Sequence, residues 1–134
     1  MTGTSSHELG GELAGIVAEV CGNDRFGHRQ HINLAFIAAR RCNNPADRMR
    51  DWIKQIAASH GAPQKYHETI TIAWARVVAH HVAADPAVAD FDAFIDRYPA
   101  LLDKTLLSRH YSPELLSSPA ARADWVAPNL AALP

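Results

Sequence analysis

Two pairs of residues in this chain have the types and spacing for chemistry: His28 with His31, and His67 with Glu68. Imidazole is both a common metal ligand and the side chain that titrates near neutrality. Side chains three apart on a helix have Cβ atoms about 5 to 6 Å apart, close enough for His28 and His31 to converge on one ion. His67 and Glu68 are adjacent and therefore diverge by about 100° on a helix, so both cannot be assumed to reach the same centre. Two or three imidazoles with one carboxylate suit zinc, iron, copper or nickel better than calcium or magnesium, which prefer oxygen. Glu68 could be a ligand, orient a histidine, or act as a base on bound water.

The elements that carry these residues are helical. At about 100° per residue, Lys65, Thr69, Arg76 and His80 gather on one polar arc, with His67 and Thr71 opposite it beside Ile70, Trp74, Val78 and His81. Glu68 falls with Ile72, Ala75 and Ala79, also away from that arc. In the segment before it, Arg29, Gln30, Asn33, Arg40 and Arg41 form the polar arc. His28, His31, Ala35, Ala38, Ala39 and Cys42 lie opposite. Both histidine-bearing faces are thus predicted to point inward.

Punctuation along the chain sets the helix limits. Ser5 with Glu8 resembles a capping box, but Gly10-Gly11 weakens that turn, so the first helix is predicted from Glu12 to Cys21 and stopped by Gly22-Asn23. The second runs from about Gly27 to Cys42. Pro45 opens the third, which spans 46–60 and stops at Gly61; Pro63 opens the fourth, to about Ala84. Asp85-Pro86 is read as the start of a fifth, ended by Pro99. Ser112-Pro113 and Ser118-Pro119 each read as a cap followed by a first-position proline. Leu115, Leu116, Trp125, Val126 and Leu130 make the tail too apolar for disorder. No stretch alternates long enough for a strand. The expected fold is all-α: one domain over 1–134, four to five main helices, firm from about 12 to 98, with a tail of short helices (99–134) wrapped across it.

Short links favour antiparallel neighbours, which puts His31 and His67 at the same end of the bundle. His60, read onto the face of Met49, Ile53 and Ile56, and Cys21 join them as weaker candidate donors. His81 lies about 20 Å away along its helix, while His7 and His80 read as exposed.

Composition bounds the rest. The chain has 134 residues, 48% hydrophobic and 20% charged, with a formal net charge of −1. That size suits a single core, and the charge balance argues against nucleic acid or an anionic membrane as partner. The start MTGTSSHELGGELAGIVAEV lacks the pattern of a signal peptide, and no window approaches the ~18 to 20 apolar residues of a membrane span. Cys21 and Cys42 have neither metal nor redox spacing and read as buried thiols of a reducing, cytoplasmic compartment. There is no H-E-x-x-H, G-x-S-x-G, C-x-x-C or Gly-rich phosphate loop.

FGHRQHINLAF, KYHETIT and HYSPELLSSPAARADWV together resemble a largely uncharacterised family of small bacterial all-helical proteins with F-x-H-x-x-H, Y-H-E-T-x-T and Y-S-P-E segments. The resemblance covers Phe26 to Pro128. It implies a functional pattern of Phe26, His28, His31, Tyr66, His67, Glu68, Thr69, Thr71, Tyr111 and Ser112, and it carries no activity. It adds Tyr111, with His110 beside it, as a tail residue folded over the site.

The leading expectation is a small-molecule enzyme with a mononuclear metal between the second and fourth helices, held by His31 and His67 with His28 or Glu68. Glu68, Tyr111 and Thr71 would be its catalytic groups, and the reaction would be that of a hydrolase, lyase or oxygenase activating water or oxygen. Two other readings use the same residues: a non-catalytic module holding a small organic ligand or haem, and a structural or partner-binding bundle. Monomer and dimer are both left open.

Overall fold

The computed structural model describes residues 9–134. Every regular element among them is helical: α1 Gly11–Cys21, α2 His28–Arg41, α3 Pro45–Ser59, α4 Glu68–Ala84, α5 Phe91–Arg97, α6 Pro113–Leu116 and α7 Pro119–Ala123. Single 3₁₀ turns cover Pro63–Lys65, Pro99–Leu102 and Lys104–Arg109. The all-α bundle with a wrapped tail is what the sequence leads one to expect. The Ser5–Glu8 capping box and His7 lie outside the described residues. No helix among those described is long and apolar enough to cross a membrane.

Most boundaries follow from local chemistry. Gly22 closes α1 at φ 55° and Gly61 follows α3 at φ 70°, left-handed conformations that glycine adopts without strain. Ser112 Oγ accepts from Leu115 N and Ser118 Oγ from Ala121 N, each at 3.1 Å, so both Ser-Pro pairs open helices as expected.

Two predicted helices begin later than their prolines suggest. Pro63 starts only a 3₁₀ turn, after which Tyr66 and His67 are extended and α4 begins at Glu68. His67 caps α4 rather than riding within it, because its own Nδ1 takes the Ile70 N–H at 3.1 Å. Likewise Asp85-Pro86 forms a turn, and α5 begins only where the Asp90 carboxylate accepts from Ala93 N at 2.9 Å.

α4 is the centre of the molecule. It packs on α2 and α3, which also touch each other, and α7 lies against it from the tail. Ala46 and Asp47 line one pocket with Ala75 and Ala79 while Arg50 reaches Glu68, so α3 and α4 run antiparallel. Ala35, Ala38, Ala73 and Ala75 are buried, and small side chains there let the helix axes approach. Met49, Trp52, Ile56, Val77 and Val78 fill the space between, each worth roughly 1.5 to 3 kcal/mol when fully buried. Phe36 packs on Phe91 and Phe94, which seats α5 against α2.

Burial on α4 therefore runs almost all round the helix, and the wheel is wrong about Thr69. Placed on the exposed arc by periodicity, it is 0% exposed. Its hydroxyl donates to Asp124 O at 2.7 Å and accepts from Val126 N at 3.1 Å, which fastens the tail along that face. Arg76, on the same arc, remains exposed, with its guanidinium 4.4 Å from the Trp125 ring centre. Gln30 also leaves its predicted arc: it is buried, and its side-chain oxygen takes the Gly27 N–H at 2.9 Å.

Thr69→Val keeps the shape but strands Asp124 O and Val126 N. We expect a loss of about 2 kcal/mol in urea denaturation and faster tryptic cleavage after Arg122. An unchanged midpoint would show that the tail is held elsewhere.

Candidate functional site

The run Tyr66-His67-Glu68-Thr69-x-Thr71 sends its side chains in two directions. Toward α3, Glu68 is gripped by Arg50, whose Nη2 and Nε lie 2.7 and 2.8 Å from Oε2, while the Tyr66 hydroxyl donates to Oε1 at 2.6 Å. Arg50 also pairs with Asp47 at 2.9 Å, and Lys54 stands over the Tyr66 ring. Burial alone would raise the Glu68 carboxyl, but the bonds from Arg50 and Tyr66 outweigh it and hold the group below its ordinary range. Burial and the bond to Glu68 push the Tyr66 hydroxyl up. Glu68 is a fixed anion with its oxygens occupied.

Toward the tail, His67 uses both nitrogens. Nδ1 accepts from Ile70 N, so Nε2 carries the proton and donates to Leu116 O at 2.7 Å. Arg122 Nη1 adds bonds of 3.2 to 3.4 Å to the carbonyls of Gln64, Lys65 and Tyr66. The imidazole that the sequence marks as a ligand is a clasp between the start of α4 and the tail.

The second histidine pair has a different setting. His28 Nε2 donates to Leu101 O at 2.9 Å, and its ring meets Trp74 edge to face at 4.9 Å. His31, one turn further along α2, has its Nε2 buried with no hydrogen-bond partner. Burial, with a smaller push from His28, lowers the His31 imidazole to about 4, so it is neutral at physiological pH. Both histidines line a cavity of about 440 Å³, walled also by Ile70, Trp74, Leu107, Tyr111 and Leu116. Two walls come from α2 and α4, and the third from the chain between Lys104 and Leu116.

The expected ligand set is divided by this geometry. His28, His31 and Tyr111 share the cavity wall, whereas His67, Glu68 and Thr71 do not line it. Starting α4 at Glu68 turns His67 toward the tail and Glu68 toward Arg50. Among the described residues no three His, Cys, Asp or Glu side chains are placed to hold one metal ion. Tyr111 is fully buried, and its hydroxyl donates to Val126 O at 2.8 Å. His110 Nδ1 donates to Ala131 O. His60 is exposed at the end of α3, off the inner face assigned to it, and His80 is exposed as expected. Cys21 and Cys42 are half-buried free thiols. His81 donates Nδ1 to Val77 O and packs on Tyr98.

A larger groove, of about 680 Å³, runs between α2 and α5. Its cations all have partners: Arg29 pairs with Asp92 at 2.8 Å, Arg40 donates to Val88 O at 2.8 Å, and Arg41 stands 4.0 Å from Glu19. The smaller cavity is the one that combines apolar walls with an unsatisfied buried nitrogen, and such a nitrogen calls for a partner. No family model, curated protein or solved structure matches the chain.

His31 also predicts a pH response. Its pKa falls from 6.5 in the unfolded chain to about 4 in the folded one, so between these values the unfolded chain binds the extra proton. Folding stability should fall as pH drops through that window. Compared with a His31→Leu variant, the wild type should lose about 2 kcal/mol more between pH 7 and pH 4.5. Parallel curves would mean that this imidazole titrates normally.

Proposed function

We propose that this protein binds a small organic molecule in the cavity between α2, α4 and the tail, with His31 Nε2 as its polar anchor. The observation that carries this reading is the neutral imidazole nitrogen buried unpartnered in an apolar wall. Leaving such a group unsatisfied costs about 1 to 3 kcal/mol, which a hydroxyl, amide or carbonyl of a bound molecule would recover. A cavity of about 440 Å³ lies within the usual range for small-molecule sites. Trp74, Ile70, Leu107 and Leu116 favour an apolar body.

The reading is of binding rather than turnover. The groups expected to move protons are engaged: Glu68 by Arg50 and Tyr66, Tyr111 by Val126 O. Of the donors expected for a metal, His67 is engaged with Ile70 N and Leu116 O and Glu68 with Arg50, both away from His31.

4-Propylphenol is a suitable probe, having an apolar ring and one hydroxyl. Its titration into protein labelled with ¹⁵N-histidine should move the His31 ring resonances saturably, and His31→Leu should weaken its binding about tenfold. Binding indifferent to His31→Leu, or an unmoved His31 ring, would refute the assignment.

A further inference from the structure

We propose that the molecule held in this cavity is an organic acid: an apolar body with a neutral hydrogen-bonding group at its inner end and an anionic group held by Lys104 at the mouth. This rests on the binding reading above and specifies its ligand.

The wall is graded by exposure. Trp74, Leu107 and Tyr111 are buried, as is the Nε2 of half-buried His31, whereas Lys104, Thr105 and Ser108 are exposed at its edge. Ile70, Leu107 and Leu116 contribute the apolar surface. The ligand that matches this order has opposite polar ends, one neutral and one charged.

The sign of the outer charge follows from which polar groups are already used. Thr105 gives its hydroxyl proton to Asp103 at 2.7 Å, and Ser108 gives its own to Thr105 O at 2.6 Å. The Tyr111 hydroxyl is spent on Val126 O. Among the described residues the Lys104 side chain makes neither an ion pair nor a hydrogen bond, although it lines the cavity. Asp103, the nearest acid in sequence, is tied to the backbone and hydroxyl of Thr105 and is not part of the wall. His28 feels the charges of both neighbours, Lys104 disfavouring its protonated form and Asp103 favouring it, but only Lys104 belongs to the wall. Both wall histidines are pulled toward neutrality by burial, so the wall's fixed charge is that one lysine. With a formal net charge of −1, the chain as a whole does not attract anions, so selection would be local.

The test pairs 4-propylphenol with 3-(4-hydroxyphenyl)propanoate, which replaces the terminal methyl by a carboxylate. Calorimetric titrations would use wild type, the exposed-site variant Lys104→Gln, and His31→Leu, in low-salt buffer at pH 7.5. On wild type the acid should bind about fivefold more tightly than the phenol, the scale of an exposed ion pair, and salt should erode the difference. Lys104→Gln should bring the acid to the level of the phenol and leave the phenol unchanged. His31→Leu should weaken both. An acid that binds no better than the phenol, or equally well to Lys104→Gln, overturns the anion proposal while the binding reading stands. Failure of both probes to bind wild type overturns both.

Discussion

The structure depends on enclosing α4. Glu68, Thr69, Thr71, Ile72, Ala73, Trp74, Ala75, Val77 and Val78 are all buried on one helix, which leaves it almost no side to give to water. Helices α2 and α3 cover two faces, and the third has to be closed by chain that comes much later. An apolar cover alone would slide. Thr69 fixes the register by offering one hydroxyl to both a carbonyl and an amide of the tail, 55 and 57 residues away. His67, two residues earlier, adds a second tie to the tail through Leu116 O.

The adjacent imidazole and carboxylate are explained by this enclosure. Consecutive residues at the start of a buried helix face different neighbours, and each polar group needs its own partner. Glu68 finds Arg50 and Tyr66 on the α3 side; His67 finds Leu116 on the tail side. A partly buried carboxylate paired in this way is weak evidence for stability, since desolvation offsets much of the attraction, yet removing Arg50 alone would leave it uncompensated. Its effect is to set the angle at which the chain enters α4. The residues that look most chemical in sequence thus hold the wall beside the cavity, and His31, less conspicuous on its own, keeps a nitrogen to spare.

Much of the architecture is legible from sequence because its signals are local. Ser-Pro pairs, glycines after helix ends and apolar stripes act within a turn or two. The inward placing of His28 and His31 rests on the same periodicity, as does the grouping of Ile70 with Trp74, whereas His67 is buried as the cap of α4. What periodicity misses is set by distant chain. Thr69 and Gln30 sit on polar arcs by the wheel and are buried in the fold, one by the tail and the other by its own cap. The wall between Lys104 and Leu116 is built of a six-residue 3₁₀ segment and the four-residue α6, both too short to carry a repeat. The start of α4 was hidden because Pro63 gives an equally good helix-opening signal, and only the bond from Ile70 N to His67 decides between them.

Because the clasp joins segments roughly fifty residues apart, it has a consequence for the order of assembly. During synthesis α2, α3 and α4 can emerge and pack while the strap that shields them is still being made. Thr69 and the wall beside His31 then face solvent, or a chaperone, until the final quarter of the chain docks. The cavity beside His31 is therefore among the last features to form, and a nascent chain paused after α5 would hold its helices without the cavity's third wall.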